Sequence, residues 1–228
     1  ADQLKYYDEV ELTGGDATAF LTNLHDEEIK YKLFIKLLEE EKLWTFLMES
    51  YISMFNGEYQ FKALDVAIET CAKKDNPISP SNFSSYIAKF RPENRFRALK
   101  YIHEKTNTEK FSCRYIDDAL KLLPEEQRME GLRYLLDRYL DEYKSHISDL
   151  GEVLKCFNDV DYLSVIDEYL NRGILKEFVI TELYDKFDLN KCMEFIDYVL
   201  DYSIKNNVRI LKAPTISKLL DKLSREDG

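Results

Sequence analysis

Glycine and proline are scarce, 7 and 5 in a chain of 228 residues. An all-β fold needs a tight turn every few residues, and so few turn formers cannot supply them. Long stretches are thereby left free to be helical. Histidine is rarer still, and His25, His103 and His146 form no HxxxH spacing. A metal site needs clustered ligands with ordered support behind them. The three histidines are therefore read as solvent-exposed helix residues, and no metal or other cofactor is expected. The four cysteines, Cys71, Cys113, Cys156 and Cys192, include no CxxC pair. They read as free thiols of an intracellular protein, cytoplasmic or nuclear. No apolar run approaches the roughly 18 residues of a membrane span, and no signal-peptide pattern opens the chain. Glycine-rich phosphate loops are missing too.

Positive charge is in deficit. Asp and Glu number 43 against 32 Lys and Arg, a net charge of −11. Binding to nucleic acid or to an anionic membrane surface rests on Lys and Arg, so both are disfavoured. With 45% hydrophobic and 33% charged residues the balance is that of a globular protein. Ala1 stands where an initiating Met is usual, and the chain is expected to be a fragment of a longer one.

What the sequence does have is a period. Leu24, Phe55, Phe90, Leu123, Phe157 and Phe187 lie 31, 35, 33, 34 and 30 residues apart. Each ends one amphipathic segment and precedes a short polar run, such as Asn56-Gly57-Glu58, Arg91-Pro92-Glu93-Asn94 or Pro124-Glu125-Glu126. Pro in a first turn, Asp or Asn as cap and acids against the dipole are what a new helix requires. Apolar columns repeat with these anchors, at seven and three residues before them and six, nine and twelve after. The column nine after reads Leu33, Leu64, Leu99, Leu132, Ile166 and Ile196. Of the 36 positions 34 are apolar, the exceptions being Lys30 and Lys36, where the composition alone predicts about 16.

Offsets of 3, 4 and 7 are helical spacing. Each unit is therefore helix, turn, helix, and one helix pair cannot cover its own apolar face. The expected fold is all-α, with tandem αα-hairpin repeats stacked as a right-handed α-solenoid. Residues 1–228 read as one domain of six repeats, with turns after the six anchors and a terminal half-repeat at 214–224 around Ile216, Leu220 and Leu223.

The period resembles that of tetratricopeptide and pentatricopeptide repeats, and Ala63, Ala98 and Gly131 are similar to the small residues at their close helix crossings. The Trp–Leu-Gly–Tyr pattern of the former is missing; the only tryptophan is Trp44. Segment 78–169 resembles an uncharacterised helical-repeat family of animals and bacteria. The likeness rests on Phe90-Arg-Pro-Glu-Asn-Arg-Phe-Arg-Ala-Leu-Lys and on Leu122-Leu-Pro-Glu-Glu-Gln-Arg-Met-Glu-Gly-Leu-Arg. Tyr31–Leu47 is similar in texture to helical scaffolds of nuclear pores and vesicle coats. These likenesses imply a scaffold and transfer no functional residue.

Chemistry is harder to find. The adjacent acids Asp117-Asp118, Glu125-Glu126 and Asp167-Glu168 read as solvated faces and caps in so acidic a chain. A hydrolase using paired carboxylates stays an alternative. No catalytic residue is assigned, and the protein is expected not to be an enzyme. Residues 89–114 invert the local charge, with eight cations against three acids. Arg91, Arg95, Arg97 and Lys100 are therefore the candidate partner-binding residues. They suit a protein partner with an acidic segment, or a second copy of this chain. The function read from the sequence is a non-catalytic protein–protein interaction scaffold or adaptor. Single-stranded RNA binding is the other alternative, with the basic segment as its support. Tyr51, Tyr59, Tyr115, Tyr143 and Tyr198 fall outside the columns and are candidates for an interface.

Overall fold

The computed structural model describes residues 14–74, 77–79, 82–106, 114–143, 150–158, 161–175 and 188–226. Among them there is helix and no strand. In chain order the helices are α1 (Gly14–Asn23), α2 (Glu27–Glu39), α3 (Met48–Ile52, after a 3₁₀ turn at Thr45–Leu47), α4 (Gly57–Lys73), α5 (Phe83–Ala88) and α6 (Pro92–Thr106). They continue as α7 (Arg114–Leu122), α8 (Glu125–Tyr143), α9 (Leu150–Leu154), α10 (Tyr162–Asn171), α11 (Leu189–Lys205) and α12 (Ala213–Glu226). The chain divides into two compact units, Ala1–Glu109 and Lys110–Gly228.

In the first unit α1 packs on α2, α3 on α4 and α5 on α6. The longer helices α2, α4 and α6 also pack in succession, as do α3 and α5. In the second unit α7 packs on α8 and on α9. The register places one apolar stripe of each helix inward. Leu33, Leu64, Leu99, Leu132 and Ile166 are each 1% exposed or less. The register slackens at the column six after the anchor, where Met193 is 48% exposed. Ala63, Ala98 and Gly131 all stand eight residues after an anchor and are buried. A Cβ on Gly131 would lie 2.4 Å from Leu123 Cδ1, so its missing side chain lets α7 and α8 approach. α8 departs from helical backbone at Tyr139.

The turn between paired helices is built the same way each time. The anchor amide donates to the carbonyl three residues back: Leu24 to Leu21, Phe55 to Ile52, Phe90 to Ile87, Leu123 to Leu120 and Phe157 to Leu154. This 3₁₀ closure satisfies some of the carbonyls that a helix end leaves open. Others are satisfied from the preceding helix pair. Lys30 Nζ donates to Met54 O (2.9 Å), Gln60 Nε2 to Lys89 O (2.9 Å) and Arg128 Nη1 to Cys156 O (2.7 Å). Each acceptor is the residue before an anchor, and each donor stands five or six residues after the previous one. Lys30, an exception in its apolar column, is thus buried at 5% exposure because its ammonium closes the next turn. Arg95 and Arg128 also fold back through Nε onto their own anchors' carbonyls, Phe90 and Leu123, at 3.1 Å. Phe187, Ile180 and Tyr184 lie outside the described residues.

Two sequence expectations are corrected here. His103 is 0% exposed and packs against the Phe83 ring at 5.2 Å, on the inner face of α6, where its neighbours Leu99 and Ile102 also point. His25 is exposed, and His146 lies outside the described residues. Tyr51, read as an interface candidate, is fully buried and its hydroxyl accepts from the Trp44 amide at 3.3 Å. A helix of five residues turns most of its side chains inward, which the column pattern does not capture.

Candidate interaction surfaces

The basic segment lies on α6, and its side chains are engaged with α4 and with its own turn. Arg97 forms a two-pronged bond to Glu58 (2.6 and 3.1 Å) and lies 4.0 Å over the Phe61 ring. That guanidinium holds the Glu58 carboxyl below the usual carboxylate range. Arg91 donates to Asn56 Oδ1 at 3.2 Å, and the Lys105 ammonium lies 3.0 Å from Asp65. Arg95 is half-buried and, as described, tied to Phe90 O. Lys100 lies 4.0 Å over the Phe96 ring. Lys110 and the Arg114 side chain lie outside the described part. The structure therefore places Arg97 and Lys100 on α6 and Arg91 in the turn before it, with Arg95 committed to that turn. Partners from α4, Glu58 and Asp65, offset part of the positive charge counted along the sequence.

The adjacent acids are likewise occupied. Lys121 meets Asp117 at 2.7 Å and Asp118 at 3.9 Å. Glu125 accepts from Asn158 Nδ2, and Glu168 accepts from both Arg133 and Arg172. Arg172 also donates to Asp137. Among the described residues no three His, Cys, Asp or Glu side chains form a group that could hold a metal ion. No described helix is long and apolar enough to cross a membrane.

An aromatic platform in the first unit has no counterpart in the column pattern. Trp44 and Phe46 stack with ring centroids 5.6 Å apart and planes 12° from parallel, and they are 50% and 73% exposed. The pair is braced from below. The Trp44 amide is held by Tyr51, and a Cβ on Gly14 would come within 3.2 Å of the indole, so α1 lies hard against it. Beside Phe46 opens a cleft of about 310 Å³ that includes Glu49, Cys71, Ile78, Ser85 and Tyr86. Both rings fall between the columns of successive helices. That was the available signal: two large aromatics that the repeat gives no place in the core.

The described cysteines, Cys71, Cys156 and Cys192, are free and buried. Burial pushes the Cys156 thiol up to about 11, and Cys71 also upward, which makes them poor nucleophiles at neutral pH. Tyr198 is pushed up to about 12, first by burial and then by its bond to Asp167. A group whose folded-state pKa is raised stabilises the fold in full below its unfolded pKa, and the benefit is lost as pH rises past it. Urea stability is therefore expected to fall from about pH 9 to about pH 12. Cys156→Ala should flatten the first part of that decline and Tyr198→Phe the second. An unchanged pH profile in Tyr198→Phe would detach that phenol from stability.

The fold and its surfaces define an all-α protein with aromatic and charged faces among the described residues. Comparison with protein-family models, with curated proteins and with solved structures finds no match.

Proposed function

We propose that this chain is a non-catalytic protein-interaction scaffold, with helix pairs stacked within each unit in the manner of an α-solenoid. The observation that carries this reading is the exposed Trp44–Phe46 platform. Large aromatics bury much area on a partner while losing few rotatable bonds, and they dominate binding energy where interfaces are dissected. Leaving two of them stacked in water, braced by Tyr51 and Gly14, pre-organises a contact surface. The successive packing of α2, α4 and α6 supports the stacked arrangement, as does the closing of three turns by side chains of an earlier helix. Arg91, Arg97 and Lys100 are proposed as a second contact, suited to an acidic segment.

The test is quantitative capture of partners from the native source on three immobilised proteins: wild type, Trp44→Ala/Phe46→Ser, and Arg91→Glu/Arg97→Glu/Lys100→Glu. Arg95 is left intact because it holds the Phe90 turn. Partners that bind the platform should lose affinity by roughly thirtyfold in the aromatic variant, the size of a hot-spot loss. Partners using the basic ridge should bind the reversed variant more slowly, with a flattened dependence on salt. An identical partner set at unchanged affinity on all three proteins would remove both surfaces from the reading.

A further inference from the structure

The second unit carries a cleft of about 440 Å³ between α10 and α11. Asp167 and Asn171 from α10 face Tyr198, Asp201, Tyr202 and Lys205 from α11, so two carboxylates and one ammonium line the cleft. Asp167 is fixed in place, its Oδ1 accepting from Tyr198 Oη and its Oδ2 from Asn171 Nδ2, both at 2.8 Å. The raised Tyr198 phenol remains a donor throughout the neutral range. Asp201, one turn further along α11, is exposed.

This cleft follows from the repeat. Its α11 residues stand 11, 14, 15 and 18 places after Phe187. The residues at those places after Phe55 are Val66, Glu69, Thr70 and Lys73, and they line a groove of about 340 Å³ with Ile35 and Leu38 of α2. The register therefore builds a groove between successive longer helices in both units. In the second unit tyrosines replace Val66 and Thr70, and Asp167 and Asn171 form the wall that Ile35, Leu38 and Glu39 form in the first.

We infer that the α10–α11 cleft receives an arginine or lysine side chain from an extended segment of a protein partner, an inference that rests on the scaffold reading. The carboxylates of Asp167 and Asp201 stand on opposite walls and outnumber the one ammonium of Lys205, so the cleft still complements a guanidinium or ammonium head. Tyrosine rings take the aliphatic stem and attract the cation through their faces. Ile204, 79% exposed on the last turn of α11, offers an apolar contact for the partner's neighbouring residues. The net charge of −11 draws a cationic segment toward the protein at long range. A bare divalent ion is the poorer fit. Such ions need six or more oxygens, and both Asp167 oxygens already accept hydrogen bonds.

The probe is the peptide acetyl-Gly-Leu-Arg-Leu-Gly-amide, titrated into the ¹⁵N-labelled chain and followed by NMR, with the citrulline peptide as its neutral isostere. The arginine peptide should shift the amides of 167–171 and 198–206 in a saturable, salt-sensitive way, and the citrulline peptide should not. Asp201→Asn should weaken binding about threefold to fivefold, and Asp201→Lys at least tenfold, as expected for one partly exposed charge pair removed and then reversed. Asp201 is exposed, so both variants retain the fold, which their own spectra verify. Shifts centred elsewhere, equal binding of the two peptides, or undiminished affinity in Asp201→Lys would each overturn the assignment. Failure here leaves the Trp44–Phe46 capture result standing, so the cleft and the scaffold reading are judged apart.

Discussion

Truncating Leu132 to alanine is expected to lower the free energy of unfolding by about 2–5 kcal/mol, the range for a buried leucine deleted from a packed core. Leu132 is 0% exposed and lies in the column nine after the anchor, beside Leu135 and Leu136, which are buried to the same degree. Protein interiors are too densely packed to collapse fully around a missing isobutyl group, so a cavity term adds to the lost transfer energy. Leu132→Met, which conserves volume, should cost less than about 1.5 kcal/mol. Chemical denaturation of the three proteins gives the comparison. A loss below about 1 kcal/mol for Leu132→Ala would place the side chain outside the core. Hydrogen exchange should register the damage in α7, α8 and α10, since repeat elements depend on their neighbours.

Replacing Arg128 by methionine should cost about 2–4 kcal/mol, although it keeps much of the side-chain volume. The guanidinium donates from Nε to Leu123 O and from Nη1 to Cys156 O. It thereby holds the carbonyl ends of two helices at once, and methionine would leave both acceptors without that donor. Orphaning a buried carbonyl costs more than an average hydrogen bond contributes. Arg128→Lys can serve only one of the two acceptors and should fall between. Gln60→Leu should repeat the loss on a smaller scale, since its amide makes the single bond to Lys89 O. If Arg128→Met melts within measurement error of wild type, the bridge has no energetic role.

The helices and their inner faces could be read from the sequence because they depend on local periodicity. Leu99, Leu132 and Ile166 fall inward because a 3.6-residue turn returns them to the same side. Lys30 shows where that reasoning stops. A column test marks it as a defect, whereas in three dimensions it is one of several side chains that close the following turn. Charge was harder to read for the same reason. Arg97 finds Glu58 39 residues upstream, and Lys105 finds Asp65, so counting along residues 89–114 overstates the local field. His103 was misjudged because a polar residue type was weighed above its place next to Ile102. Trp44 and Phe46 fall outside the register, which marks them as large aromatics without a core position but does not say that they stack at the surface.

The closing of three turns by a side chain of an earlier helix also governs how such a gene can change length. Donor and carbonyl are separated by 24, 29 and 28 residues in the three instances, so the connections between pairs already absorb insertions and deletions. The interval from anchor to donor is narrower, five residues from Phe55 to Gln60 and from Leu123 to Arg128 and six from Leu24 to Lys30. Each further residue there swings the donor about 100° around its helix, so only a long side chain such as that of Lys30 still reaches its acceptor. Descendants of this sequence should therefore differ by lengthened or shortened connections between helices, with the interval from anchor to donor held at five or six residues.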